Sequence, residues 1–233
     1  MNKILLSIAF ILMLPGVSFA QMSLGGQLTL ASSGQTDYDN LIQSARSDNS
    51  ASTSELGSML EISGTWAYRF NGSIVSMMFR PSYFTVGSDG NGTPGSYDYS
   101  ISGFTLFGIT RFTALENNYF KFFLQTGIGW GFVNGSIKEG SVDVDFAGNN
   151  VGFLGGIGAE FCFGGSAHCM AIEGNIRYLP VNRNIVESVS GTCPSSDTGL
   201  SQCTDSRELE LNDRDLAVSL SGILGTIGYT YYF

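Results

Sequence analysis

Apolar and polar residues alternate along most of this chain, and the period is two. The clearest run starts at Phe120. Phe120, Phe122, Leu124, Thr126, Ile128, Trp130 and Phe132 share one face, while Lys121, Gln125, Gly127, Gly129 and Gly131 share the other. An amphipathic helix would repeat its apolar residues every three or four positions, so this run is a strand with one apolar face. A second run puts Leu56, Leu60, Ile62, Gly64, Trp66, Tyr68 and Phe70 on one side and Met59, Glu61, Ser63, Thr65, Ala67 and Arg69 on the other. Six more segments read alike, at roughly 22–31, 74–86, 97–111, 150–162, 170–181 and 215–233. Two of them are inconsistent in phase. Tyr99 and Ile101 oppose Phe104 and Leu106, and the last segment shifts near Ile223 and Leu224, where a bulge is expected. The pattern predicts an all-β chain of eight strands.

The links between strands alternate in length. A long polar stretch (32–54) is followed by a tight turn at Asn71 and Gly72, a Gly-rich loop (88–96), a short turn (112–118), a polar loop (137–149), a short turn (163–169) and a long polar loop (182–214). Barrels of bacterial outer membranes have long extracellular loops and short periplasmic turns, whereas a soluble sandwich has no reason to sort its links. Aromatic residues gather where girdles belong: Trp66, Tyr68, Phe70, Phe120 and Phe122 beside the short turns, Tyr83, Trp130 and Phe132 towards the other rim. The expected architecture is an eight-stranded antiparallel transmembrane β-barrel with both termini on the periplasmic side.

Residues 1–20 read as a cleaved signal peptide. Lys3 supplies the charged start, Ile4 to Leu14 the apolar stretch, and Ser18 and Ala20 the small residues before the cut. The apolar stretch is short for a membrane-spanning helix. The barrel domain is therefore expected to occupy 21–233, with no second apolar run long enough to cross a membrane as a helix. Glycine, at 31 of 233 residues, is far above its usual share of about 7% and suits a tightly curved sheet. The net charge of −9 argues against nucleic acid as a partner, since that needs a basic footprint.

Four cysteines in an exported chain suggest two disulfides, Cys162–Cys169 and Cys193–Cys203, paired by closeness in sequence. Seven charged residues fall on the less apolar strand faces: Glu61, Arg69, Arg80, Lys121, Glu160, Glu173 and Arg177. A narrow eight-stranded barrel has room only for its own side chains, so these residues are expected to pair in the lumen rather than line a path. His168, the single histidine, falls in a short turn, and no GxSxG-like nucleophile motif is present; no catalytic, metal or cofactor residues are expected. The loops at 137–149 and 182–214 are acidic. Carboxylates there could hold divalent cations bridging to lipopolysaccharide, but a solvated surface explains them as well.

Ile227, Tyr229, Tyr231 and Phe233 alternate up to the last residue. This ending resembles the C-terminal signature of bacterial outer-membrane proteins. The stretches Gly127 to Phe132, Gly155 to Phe161 and Glu173 to Tyr178 resemble the later strands of OmpA-like, OmpX-like and opacity-type barrels. The resemblance implies a Gram-negative outer-membrane location, contact with outer-membrane lipids and lipopolysaccharide, and recognition of the terminal residues by the barrel-insertion machinery. The function implied is non-enzymatic: a structural and adhesin-like surface role, with 32–54 and 182–214 as candidate contacts for a surface or host partner. Three alternatives stay open: a narrow passage for small or hydrophobic solutes, as in OmpW-like barrels; a lipid-modifying barrel enzyme; and a soluble barrel of lipocalin type.

Overall fold

A computed structural model describes residues 21–93, 95–163, 167–191, 200–211 and 213–233. The expected signal peptide lies outside them. Eight strands close into one antiparallel barrel: β1 (Gln21–Ser33), β2 (Met59–Arg69), β3 (Val75–Asn91), β4 (Ser96–Glu116), β5 (Phe120–Glu139), β6 (Val142–Phe163), β7 (His168–Tyr178) and β8 (Gly222–Tyr232). Each pairs with its sequence neighbours, and β1 closes the cylinder against β8 from Ser23↔Tyr232 to Ser33↔Gly222. The alternation that predicts the strands is a full inside–outside alternation: Leu24, Leu28, Ile62, Trp66, Ile128, Trp130, Ile172 and Ile227 all point outward and are exposed.

On β5 the outward apolar run extends from Phe122 to Phe132. At about 3.4 Å per residue and a tilt of about 40°, that is a band about 26 Å tall, the height of a bilayer's hydrocarbon layer. This is the fold of a transmembrane β-barrel.

Strands β3 to β6 run well past that band, further than the sequence boundaries suggest. The expected loop at 137–149 shrinks to a turn at Gly140, because β5 and β6 stay paired up to Glu139↔Val142. The expected loop at 88–96 is likewise mostly strand, with Asn91 paired to Ser96. The result is a ribbon standing above one mouth of the barrel, called the upper mouth below. A seven-residue strand, Asn184–Ser190, pairs with β6 along Asp143 to Gly148 and widens this ribbon.

The two long links are corrected more strongly. The stretch 32–54 is not an open loop but carries a helix, α1 (Thr36–Asn49). Tyr38, Leu41, Ile42 and Ala45 recur at helical spacing and are fully buried, so α1 is drawn into the upper mouth by its one apolar stripe. Asp37 and Asp39 in its first turn and Arg46 in its last suit the helix dipole. Asp39 Oδ1 accepts the Leu56 N–H at 3.1 Å and Asp37 Oδ2 the Ala217 N–H at 2.8 Å, which ties α1 to chain on both sides. The region 182–214 also holds short strands at Leu200–Gln202, Glu210–Leu211 and Arg214–Asp215, with Leu200, Leu209, Leu211 and Leu216 buried beneath it. Leu56, expected on the lipid face, is buried here as well.

Candidate functional site

The barrel interior has two storeys of opposite character. Next to the short turns, where the exterior is apolar, the inward face is polar and charged. Above the band the faces exchange roles. On β4 the odd-numbered residues point inward throughout: Thr105, Phe107, Ile109 and Arg111 low down, then Tyr97, Tyr99 and Ile101 high up. The even-numbered residues are apolar at Phe104 and Leu106 but polar at Asp98, Ser100 and Ser102. Neither neighbour's register slips between Tyr97 and Thr113. The phase ambiguity at 97–111 is therefore no irregularity of the backbone. The strand rises above the outward apolar band, and its apolar residues cross to the inside.

The same exchange explains the phase change near Ile223. Leu216, Val218, Leu220 and Leu224 point inward, while Ile223, Ile227, Tyr229 and Tyr231 point outward. The expected bulge is absent from β8, whose pairing with β1 and β7 is unbroken. At the boundary, Trp130 Nε1 points to Asn149 Oδ1 at 3.4 Å, a long contact at the level where the outward face turns from apolar to polar.

The upper storey is a dry core. Tyr38, Leu41 and Ile42 of α1 pack with Met59, Phe84, Tyr97, Tyr99, Ile101, Ile137 and Phe146, all fully buried. Burying each such side chain contributes about 1.5–3 kcal/mol. The Tyr38 ring lies 6.3 Å from Phe146, its hydroxyl has no hydrogen-bond partner among the described residues, and burial pushes its phenol well above the usual range. Inward glycines make room for the larger rings. A methyl group on Gly135 would sit 2.0 Å from the Phe146 ring, and one on Gly129 2.5 Å from Phe107. Much of the glycine excess of β5 and β6 is thus interior packing.

The lower storey is an ion-pair lattice. Glu173 lies at its centre, accepting from Arg80 at 2.8 Å, Arg111 at 2.9 Å, Gln125 at 2.8 Å and Gln27 at 3.0 Å. Arg111 also reaches Glu160 at 2.7 Å and stacks 3.7 Å over the Phe123 ring. Glu160 takes a further bond from the Tyr232 hydroxyl at 2.5 Å. Beside this group Arg177 holds Glu61 with two parallel bonds, at 3.0 and 2.5 Å, and its Nε donates to the Leu220 carbonyl at 2.6 Å. Such two-pronged pairing is the strongest form of this contact.

Six of the seven expected lumen charges (Glu61, Arg80, Lys121, Glu160, Glu173 and Arg177) are buried inside the barrel. Arg69 is not part of the lattice. It lies at the lower rim, partly exposed, and pairs with Glu116 at 2.7 Å, because β2 ends there and its side chain reaches the short-turn end. Arg111 and Glu116 were not foreseen. The signal for Arg111 was its parity with Thr105 and Lys-facing β5 positions, hidden by the phase reversal on β4.

The Cys162–Cys169 disulfide is present, pointing inward across the β6–β7 hairpin. Cys203 is also disulfide-bonded; Cys193, its expected partner, lies outside the described residues. His168 starts β7 rather than lying in a turn, and packs on the outer surface against Phe163, Tyr229 and Tyr231. Ile227, Tyr229 and Tyr231 face outward on β8, and Phe233 follows it with its N–H on the Met22 carbonyl at 2.9 Å. Among the described residues, the one cluster with metal-ligand character is Glu160 with Cys162 and Cys169, whose sulfurs are committed to each other. No protein-family model matches the chain, and no curated protein sequence matches it.

Proposed function

We propose that this chain is a non-enzymatic barrel of a Gram-negative outer membrane, with a structural and surface-presenting role. The reading rests on one observation: the apolar residues move from the outside of the wall to the inside at the level where the lipid band ends. Below that level the barrel is built to sit in hydrocarbon, and above it the same strands are built to stand in water around their own core. The wall contacts lipid and lipopolysaccharide, the short turns face the periplasm, and the β3–β6 ribbon with its capping strands is the surface offered to partners outside the cell. A passage for solutes is the less supported reading, since the lower storey spends its polar groups on each other and α1 fills the storey above.

Cell fractionation is expected to recover the protein with the outer membrane, migrating faster on gels before boiling than after. In planar bilayers it is expected to give no steady conductance. Recovery as a periplasmic protein would overturn the location, and a stable open pore would overturn the closed lumen. The orientation has its own check. A peptide tag at Asp205, exposed among the capping strands, should be labelled on intact cells, and one at Asn117 in a short turn should not. The reverse labelling would turn the barrel over.

A further inference from the structure

Counting charges in the lower storey leaves one over. Each acid there has an arginine: Glu61 with Arg177, Glu173 with Arg80, Glu160 with Arg111, and Glu116 with Arg69 at the rim. Lys121 is the remaining cation among the described residues of the lower lumen, and it is buried. Its ammonium lies 3.5 Å over the Tyr232 ring; Glu116, 3.7 Å away, is already bound at 2.7 Å to Arg69, and Glu160, its register partner on β6, is bound at 2.7 Å to Arg111. A buried charge without a full counter-charge is costly.

Beside Lys121 a small cavity opens at the lower mouth. It is lined by Arg69, Arg111 and Lys121, by the hydroxyls of Ser23, Ser76 and Thr113, and by one carboxylate, Glu160, which is already held by Arg111 and the Tyr232 hydroxyl. Arg111 adds a second demand: its Nε–H is buried and has no hydrogen-bond partner among the described residues, although the rest of its guanidinium is bound. The cavity offers about 20 Å3, room for one water-sized occupant. Three cations against one lining carboxylate, with three hydroxyl donors beside them, make a seat for a small negative charge.

We propose that the lower mouth binds a halide-sized monovalent anion, chloride being the abundant candidate, with Lys121 as its main partner. The bound anion neutralises the leftover charge and completes the lattice. It is a structural ligand of the barrel, and it makes stability depend on the kind of anion as well as on ionic strength. The inference does not depend on which membrane holds the barrel or on what its outer surface contacts.

Chloride-35 NMR on the protein refolded in detergent tests this. The wild type is expected to broaden the chloride line beyond the level set by the same chloride in detergent without protein, with bromide displacing the effect and the much larger gluconate leaving it intact. Lys121→Met is expected to abolish the excess broadening. If that variant fails to fold, Thr113→Val, which removes one hydroxyl, should reduce the broadening instead. The thermal midpoint of the wild type should rise by about 3 °C when chloride replaces gluconate at equal ionic strength over a tenfold range above its dissociation constant. Crystals soaked in bromide should show its anomalous signal beside Lys121 Nζ. No excess broadening in the wild type, equal broadening in folded Lys121→Met, or bromide found only on the outer surface would each overturn the site.

Discussion

Glu173→Ala is expected to destabilise the barrel more than any other single loss of a charge. The carboxylate binds Arg80, Arg111, Gln27 and Gln125, and Asn175 Nδ2 approaches it at 3.3 Å. Its removal leaves the Arg80 guanidinium without a carboxylate and Arg111 with only Glu160, both enclosed by the barrel wall. Breaking a buried pair from one side costs about 3–5 kcal/mol, because the stranded charge cannot regain its water. Whole proteins are stable by only about 5–15 kcal/mol, so the loss should be plain in urea unfolding followed by tryptophan fluorescence. Glu173→Gln should cost less, since it keeps the shape and part of the bonding while dropping the charge. Glu208→Ala is the control. Its partner Arg183 is exposed above the band, where solvent screens the pair, so its loss should change little. Equal midpoints for Glu173→Ala and the control would mean that the lower storey is hydrated and the lattice is not what closes it.

The wall of this barrel was legible because lipid on one side and side chains on the other impose the same two-residue period on every strand. Lumen charges such as Glu61 and Glu173 stood out on the same ground, as the wrong kind of residue for the lipid face. The period became unreliable where the environment changed along a strand. Tyr99, Ile101 and Val133 are apolar because they face a core, Phe104 and Phe132 because they face lipid, and alternation alone does not distinguish the two. Parity does: Arg111 has the parity of Ile101 and Tyr99, and following it through the reversal would have placed this arginine inside. The helix α1 was hidden by composition. Only Tyr38, Leu41, Ile42 and Ala45 of its residues are apolar, and their spacing of three and four was the one mark of a helix in a stretch otherwise rich in Asp, Asn and Ser. Arg69 faced inward in phase but sat too near the end of β2 to be buried, which depth, not parity, decides.

Because the two storeys differ chemically, they should fail separately. Replacing Thr36–Asn49 with a short Gly-Ser linker removes Tyr38, Leu41, Ile42 and Ala45 from the upper core, where each is fully buried. Truncating even one large buried apolar side chain costs about 2–5 kcal/mol, so losing the helix is a severe cut to the upper storey. Phe84, Tyr97, Tyr99 and Phe146 would then line an open apolar bowl, and a dye that fluoresces in apolar surroundings should bind it where it does not bind the wild type. The lower storey gains no opening from this change. Arg177 with Glu61, and Arg80 and Arg111 with Glu173, are held on the barrel strands β2, β3, β4 and β7, not by α1. The helix-less barrel should therefore still insert and still conduct nothing in a planar bilayer. Conductance should appear only when Glu173→Ala is added to the helix deletion, since both closures are then gone. A steady current from the helix deletion alone would show that α1 is the whole barrier and that the charge lattice leaves a path through the wall's interior.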